Sequence, residues 1–403
     1  MDPASILLMA APAAFALLVL WREDLLPRPK DVLLCGVAVA AAFLLRAAFL
    51  RHETLDYLNF LSQWVEYFRE NGGFAALDEN VGNYNIPYLA FLACISYLPF
   101  DDLLLIKLLS VIFDVILAWG CLRLVGLYTR SAAKRRFAFL AALLLPTVVL
   151  NGSCWGQCDS IYAALAVWSL YHALARQGVR AMLCIAAAFS VKLQAIFLMP
   201  LFLIFFITGR VKWRYCLVFP LMYVVMVSPA LLAGRPLLDT LTLYASQTGS
   251  IGTGLNYNSP SIFAVIYSEY TYELSLFGIA AAGLFTCGLL TWLICRRREL
   301  DDEVLLCAAV LLVVGIPFLL PRMHERYFFL ADVLTLCFAV VLPRHFLLPV
   351  LTQFASLLGY HAYLREAYLL PMACGTAALA AVIFFLFGYL SCRLYPRRKR
   401  KYT

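Results

Sequence analysis

Charged side chains are scarce. Asp, Glu, Lys and Arg make up 14% of the 403 residues, where a soluble domain averages about a quarter. With 64% hydrophobic residues and a mean hydropathy of +0.84, that scarcity excludes an ordinary soluble fold and indicates an integral membrane protein. Histidine occurs five times, never spaced with cysteine as a ligand set, so a zinc site is not expected. No C-x-x-C pair exists among the thirteen cysteines, which lie mostly singly in apolar runs where the side chain acts as a small hydrophobe. Cys154 and Cys158 are close together in a polar loop, but residues four apart on a helical turn rarely reach disulfide geometry. A Walker-type glycine loop and a dinucleotide fingerprint are both missing, which argues against a nucleotide-sugar domain. No Lys or Arg precedes the first apolar segment, which favours a retained anchor over a cleaved signal peptide.

What charge there is has a pattern. The net charge of +8 gathers in short loops: Arg22/Arg28/Lys30, Arg123 to Arg136, Arg176/Arg180, Arg210/Lys212/Arg214, Arg296–Arg298, Arg344 and the tail 393–403. Each cluster lies near the end of an apolar segment, the positive-inside signature, so these loops are expected in the cytoplasm and a nucleic-acid partner is not expected. Apolar segments at 5–21, 32–50, 103–122, 137–151, 159–176, 181–191, 195–208, 215–233, 275–295, 304–320, 327–342, 344–359 and 370–391 predict a single all-α transmembrane domain over residues 1–403. It should be a polytopic bundle of about 11–14 transmembrane or half-spanning helices. Segments 86–99, 181–191 and 195–208 are short enough to be re-entrant or half-spanning. Alternation then places the loops at 51–85 and 234–274, the 151–159 turn, the Lys192 turn and 321–326 together on the extracytoplasmic face. Loop 51–85 should hold an interfacial helix with Tyr57, Phe60, Leu61, Trp64 and Tyr67/Phe68 on one face, ended by Gly72-Gly73. Loop 234–274, with Gly249, Gly252, Gly254, Asn256, Tyr257 and Asn258, reads as a mobile cover over a site.

Polar residues at the membrane boundary are costly, so clusters of them mark a candidate site. Asp56 follows the second apolar segment. A carboxylate there suits a general base acting on a hydroxyl, and equally an acid complementing a helix dipole. Trp155 and Gln157 suit a sugar, whose ring face stacks on an indole while an amide bonds its hydroxyls. Asp159 fits an N-cap or a sugar-orienting group. Asn151-Gly152-Ser153 matches a glycan acceptor, but the turn leaves little room for modification. Lys192 and Gln194 interrupt an apolar stretch, so Lys192 must pair with Asp114 or Asp159, or hold an anion in a wet cavity. Arg322, His324 and Arg326 fall where Pro317 and Pro321 interrupt one span and the next starts. Two guanidiniums and an imidazole at a helix N-terminus make a phosphate site, with Glu325 able to orient one of them; lipid-headgroup contact is the plainer alternative.

Asp56-Tyr57 with Trp64, Asn83-Tyr84-Asn85-Ile86-Pro87-Tyr88, WGQCD at 155–159, Lys192-Leu193-Gln194 and RMHERY at 322–327 form an ordered set. The set resembles the GT-C superfamily of polytopic membrane glycosyltransferases, most closely bacterial relatives of the GPI-anchor mannosyltransferases. The resemblance implies an inverting transfer of a hexose, mannose in the first instance, from a polyprenyl-phosphate donor to a lipid, glycan or protein acceptor outside the cytoplasmic membrane. It implies Asp56 as the catalytic acid of the first outer loop. Tyr57, Tyr84, Asn85, Trp155, Gln157, Asp159 and Gln194 are then expected around the substrates, and Lys192, Arg322, His324 and Arg326 around the departing phosphate. The chain departs from the usual pattern in two ways: Asp56-Tyr57-Leu58 replaces a paired-acid element, so no divalent metal or other cofactor is expected, and two spans precede the loop. A flippase of lipid-linked sugars and an oligosaccharide polymerase or ligase are the rival readings.

Overall fold

The computed structural model describes residues 3–250, 254–266, 268 and 270–395, and these are mostly helical, with almost no strand. Gly252 and the part of the basic tail from position 396 onward lie outside the described residues. Helices α1 (Pro3–Arg22) and α2 (Pro29–Phe49) form a hairpin. At a rise of 1.5 Å per residue, about 20 residues cross a hydrocarbon layer of ~30 Å. After Asp56 comes a π-helical turn, Tyr57–Leu61, that runs into α3 (Ser62–Glu70). Gly72 and Gly73, with φ of 83° and 63°, stop it as expected. Next come α4 (Ile86–Ile95), α5 (Asp102–Gly126), α6 (Ala132–Leu144) and the one-turn α7 (Pro146–Val149). From α6 into the α7 segment the axis bends by 47°, with Pro146 just after the break. The chain continues through α8 (Asp159–Leu174), α9 (Gly178–Val191), α10 (Leu201–Ile207), α11 (Val218–Leu232) and α12 (Leu237–Ser250). The last five helices are α13 (Thr271–Cys295), α14 (Asp302–Leu319), α15 (Phe329–Val341), α16 (Leu347–Leu364) and α17 (Met372–Leu394).

Among the described residues, seven helices are long and apolar enough to cross a membrane, or eight if the bent pair is one span. α4, α9 and α15 are shorter apolar helices. α4, ten residues long, rises about 15 Å, half a bilayer core, the length expected of a half-span.

The chain forms two compact units. The first holds Met1–Ala195 with Lys212–Gly252, and its centre is α8, flanked by α5 and α9 and buried on nearly every face. Its capping is explicit: Asp101 accepts from the Leu103 and Leu104 amides at the start of α5, and Ser131 accepts from the Lys134 amide at the start of α6. The second unit holds Ile196–Val211 with Thr253–Thr403 and is built on α14 and α15, which are also apolar and buried on nearly every face.

Three expectations change in detail. The aromatic face predicted from Tyr57 assumes 3.6 residues per turn, whereas the π-turn adds a residue and rotates the rest of the helix. The buried stripe is therefore Leu61, Val65 and Phe68, and Phe60 is exposed. Segment 234–274 is not all loop, because α12 occupies Leu237–Ser250. Pro317 does not interrupt its span: α14 runs through it to Leu319, and the chain turns extended at Leu320, before Pro321, as the residue ahead of a proline prefers.

Candidate active site

In the first unit, Asp56 is the meeting point of two chain segments about 100 residues apart. Its carboxylate Oδ2 accepts from Trp155 Nε1 at 2.9 Å and from Gln157 Nε2 at 2.6 Å. Asp56 lies in the first turn of its helix, where an acid also suits the dipole, but its side chain makes no cap bond there and faces the 155–157 turn. That turn is unusual. Leu150–Trp155 is a second π-helical turn, and Gly156, at φ 80°, ends it in the left-handed conformation. The reversal sends Gln157 back toward Asp56, where its amide hydrogen donates to Asn151 O at 2.9 Å and its own carbonyl accepts from Ser110 Oγ at 2.6 Å. Thr54 Oγ1, two residues before Asp56, donates to Trp155 O at 3.0 Å and ties the two segments directly.

The cluster extends through Gln157. Tyr84 donates its hydroxyl to Gln157 Oε1 at 2.7 Å, and its ring lies 5.4 Å from Lys192 Nζ. Lys192 ion-pairs with Asp159 at 2.5 Å, the pairing weighed against a bound anion. Asp159 also accepts from Asn151 Nδ2 at 2.8 Å and is 1% exposed, so its oxygens face the protein interior. Asn151 is wholly buried, consistent with no modification there, and Cys154 and Cys158 are free thiols. Asn85 takes a structural place: it N-caps α4 by accepting from the Ile86 amide at 2.9 Å, and donates to Ser190 O at 2.7 Å. Tyr57 lies outside the cluster's hydrogen bonds. Burial first, then the charges of Asp101 and Asp102, push its phenol up to about 12. Gln194 is 7% exposed, and its Oε1 has no hydrogen-bond partner among the described residues.

In the second unit, Met323–His324 pair as a short parallel strand with Asn256–Tyr257, which brings the glycine- and asparagine-rich segment onto the RMHERY motif. Tyr257 stacks on His324 at 4.8 Å and 12°. Glu325, 2% exposed, pairs with Arg326 at 3.1 Å and lies 4.0 Å from His324 Nδ1. The cations do not sit at a helix N-terminus as expected, since α15 starts only at Phe329. The strand pairing keeps Met323 and His324 extended instead. Arg322 is left-handed at φ 59°, uncommon for a residue with a Cβ, and its amide donates to Leu255 O at 2.7 Å.

Residues 83–321, more than half of the chain, match glycosyltransferase family 87. The chain belongs to that family. No curated protein matches it. Family 87 is a GT-C-like membrane family, so the superfamily resemblance and the helical membrane fold agree, and the protein is a membrane glycosyltransferase.

Two sets of residues in this family-87 chain position the site although the sequence reading assigned them no such part. One is a polar stripe on α5 at i, i+3 and i+7. Lys107 donates to the carbonyls of Phe49 and His52 and closes the end of α2 just before Asp56. Ser110 holds the Gln157 carbonyl, and Asp114 accepts from Arg46 at 2.9 and 3.1 Å and from Ser160 at 2.5 Å. Three polar residues on one face of an apolar span are the signal that could have found them. The other is Thr54, which carries no signal beyond its nearness to Asp56. Chemically, a carboxylate with an indole and an amide donor on one oxygen is a fixed acceptor, able to take a proton from a hydroxyl brought to it.

Proposed function

We propose that this family-87 glycosyltransferase moves a hexose, mannose in the first instance, from a polyprenyl-phosphate donor to an acceptor hydroxyl at the extracytoplasmic face, with Asp56 as general base and inversion at the sugar. The observation that carries this reading is the convergence of Trp155 Nε1 and Gln157 Nε2 on Asp56 Oδ2. Two donors hold the carboxylate in one orientation, as a base needs when it must meet its proton at hydrogen-bond distance. Topology is supported within the first unit. The end of α2, the starts of α5 and α8 and the end of α9 carry the polar cluster, whereas the opposite ends carry Lys30, Arg123, Arg176 and Arg180. Gln194, with a buried oxygen lacking a donor, suits a sugar hydroxyl, since leaving such an atom unsatisfied costs about 1–3 kcal/mol.

Lys192 is a weaker candidate for the donor phosphate than the sequence suggested, because Asp159 already neutralises it. Arg326 is similarly paired with Glu325. Arg322 forms no ion pair among the described residues, so the donor phosphate is assigned chiefly to Arg322, beside His324. A single phosphate gains charge as the sugar leaves, and a guanidinium opposite it strengthens in the transition state.

The test is transfer by purified protein from polyprenyl-phosphate mannose, without added metal, with nucleotide sugars as the comparison. Asp56→Asn should lower turnover by about 10²–10⁴-fold, and Arg322→Ala should weaken donor use by about 10- to 100-fold, the scale of one charge-assisted bond. An Asp56→Asn enzyme within a few-fold of the parent removes the base. Turnover with a nucleotide sugar and no lipid carrier removes the donor assignment.

A further inference from the structure

Gln157 reaches Asp56 with one end of an amide whose two ends have nearly the same shape, so only its hydrogen-bond partners decide which end is presented. An ionised carboxylate only accepts; the oxygen end turned toward Asp56 would set two acceptors against each other. Gln157 cannot move away to relieve this, because its backbone is held at both ends, by Asn151 O and by Ser110 Oγ. The carboxylate thus selects the nitrogen end, and the Tyr84 hydroxyl, on the far side of the amide, donates to Oε1 at 2.7 Å and holds that orientation. Tyr84 is itself fixed, with its ring 5.6 Å from Trp64 edge-on, 4.9 Å from Tyr88 and 5.4 Å from the Lys192 ammonium.

We infer that Tyr84 is a positioning residue for Asp56, acting through Gln157: by donating to Oε1 it anchors the far end of the amide, holds Nε2 on the carboxylate and keeps the base aimed. The inference rests on the reading of Asp56 as the base. It gives Tyr84 a role distinct from contact with substrate. The ion pair of Lys192 and Asp159 then belongs to the same device, since it holds a cation over the Tyr84 ring and helps fix the hydroxyl.

Tyr84→Phe keeps the ring and removes only the donor. It should lower kcat by about 5- to 10-fold, the size of one neutral hydrogen bond, with KM for donor and acceptor unchanged. In a Gln157→Ala background the same change should cost nothing further, because the amide through which it acts is gone. A second readout needs no substrate. The Trp155 indole N–H resonance in ¹⁵N-tryptophan-labelled protein, identified with Trp155→Phe, should move in Tyr84→Phe because that proton sits on the same carboxylate oxygen. A raised KM, multiplied losses in the double variant or an unmoved Trp155 resonance overturns the inference. Should Asp56→Asn stay active, the reading of the base falls, while the Trp155 resonance still reports whether Tyr84 governs the carboxylate.

Discussion

Asp56 takes its character from what surrounds it. Alone in the sequence it reads as an acid at a helix start, which it is; the indole and amide donors add a partner set that a dipole role does not need. Lys192 shows the opposite outcome, because the partner weighed for it, Asp159, is present at 2.5 Å. That pair yields a prediction with a clear sign. Lys192→Met should leave Asp159 buried and lacking its cation, at a cost of about 3–5 kcal/mol. Thermal unfolding in detergent should show the loss, and Asp159→Asn in the same chain should recover much of it. Normal stability combined with a selective loss of donor affinity would return Lys192 to the phosphate site. Residue types and their order were legible here, and the family resemblance came from them. Their pairing was not, because a sequence gives the ionisable groups without saying which of several acids a lysine meets.

The two π-turns are the elements that most shape the site. Tyr57–Leu61 follows Asp56, and Leu150–Trp155 carries Trp155 to it. Neither could be read from hydrophobic periodicity, which assumes a constant 3.6-residue repeat, and the exposed Phe60 is the consequence. The helix itself and its glycine stop were legible, since alternating faces and a Gly-Gly pair survive an error of one residue. Gly156 closes the second π-turn at φ 80°, with room for a methyl group, the nearest atom being 3.7 Å from an added Cβ. Gly156→Ala therefore tests conformation rather than space. It should cost about 1–2 kcal/mol, the penalty of a left-handed residue with a Cβ, and lower transfer more than stability because Gln157 would lose its aim. Unchanged activity would show that the turn tolerates other routes to Asp56.

For the whole molecule, composition was enough to announce a polytopic helical membrane protein, whereas the division into two units had no signal in it. The expected topology can be tested directly. In a background with the exposed cysteines removed, a single cysteine at Asn80 should react with an impermeant thiol reagent on intact cells, and one at Glu299 only after lysis; both positions are exposed. Reaction of the Glu299 position from outside would reverse the assigned face. The least legible large-scale feature was the joining of α2 to α5 by Arg46 and Asp114, both fully buried. In the sequence Arg46 is one more scattered cation.

That bridge bears on how the protein is made. Arg46 leaves the ribosome 68 residues before Asp114. During that interval α2 carries a guanidinium in its last turn, where a long cationic side chain can still reach the interface. The second span is apolar enough to insert on its own, but the guanidinium can be buried only once a helix not yet synthesised has arrived. Packing of the amino-terminal hairpin is then a deferred event, completed when α5 arrives and supplies the counter-charge.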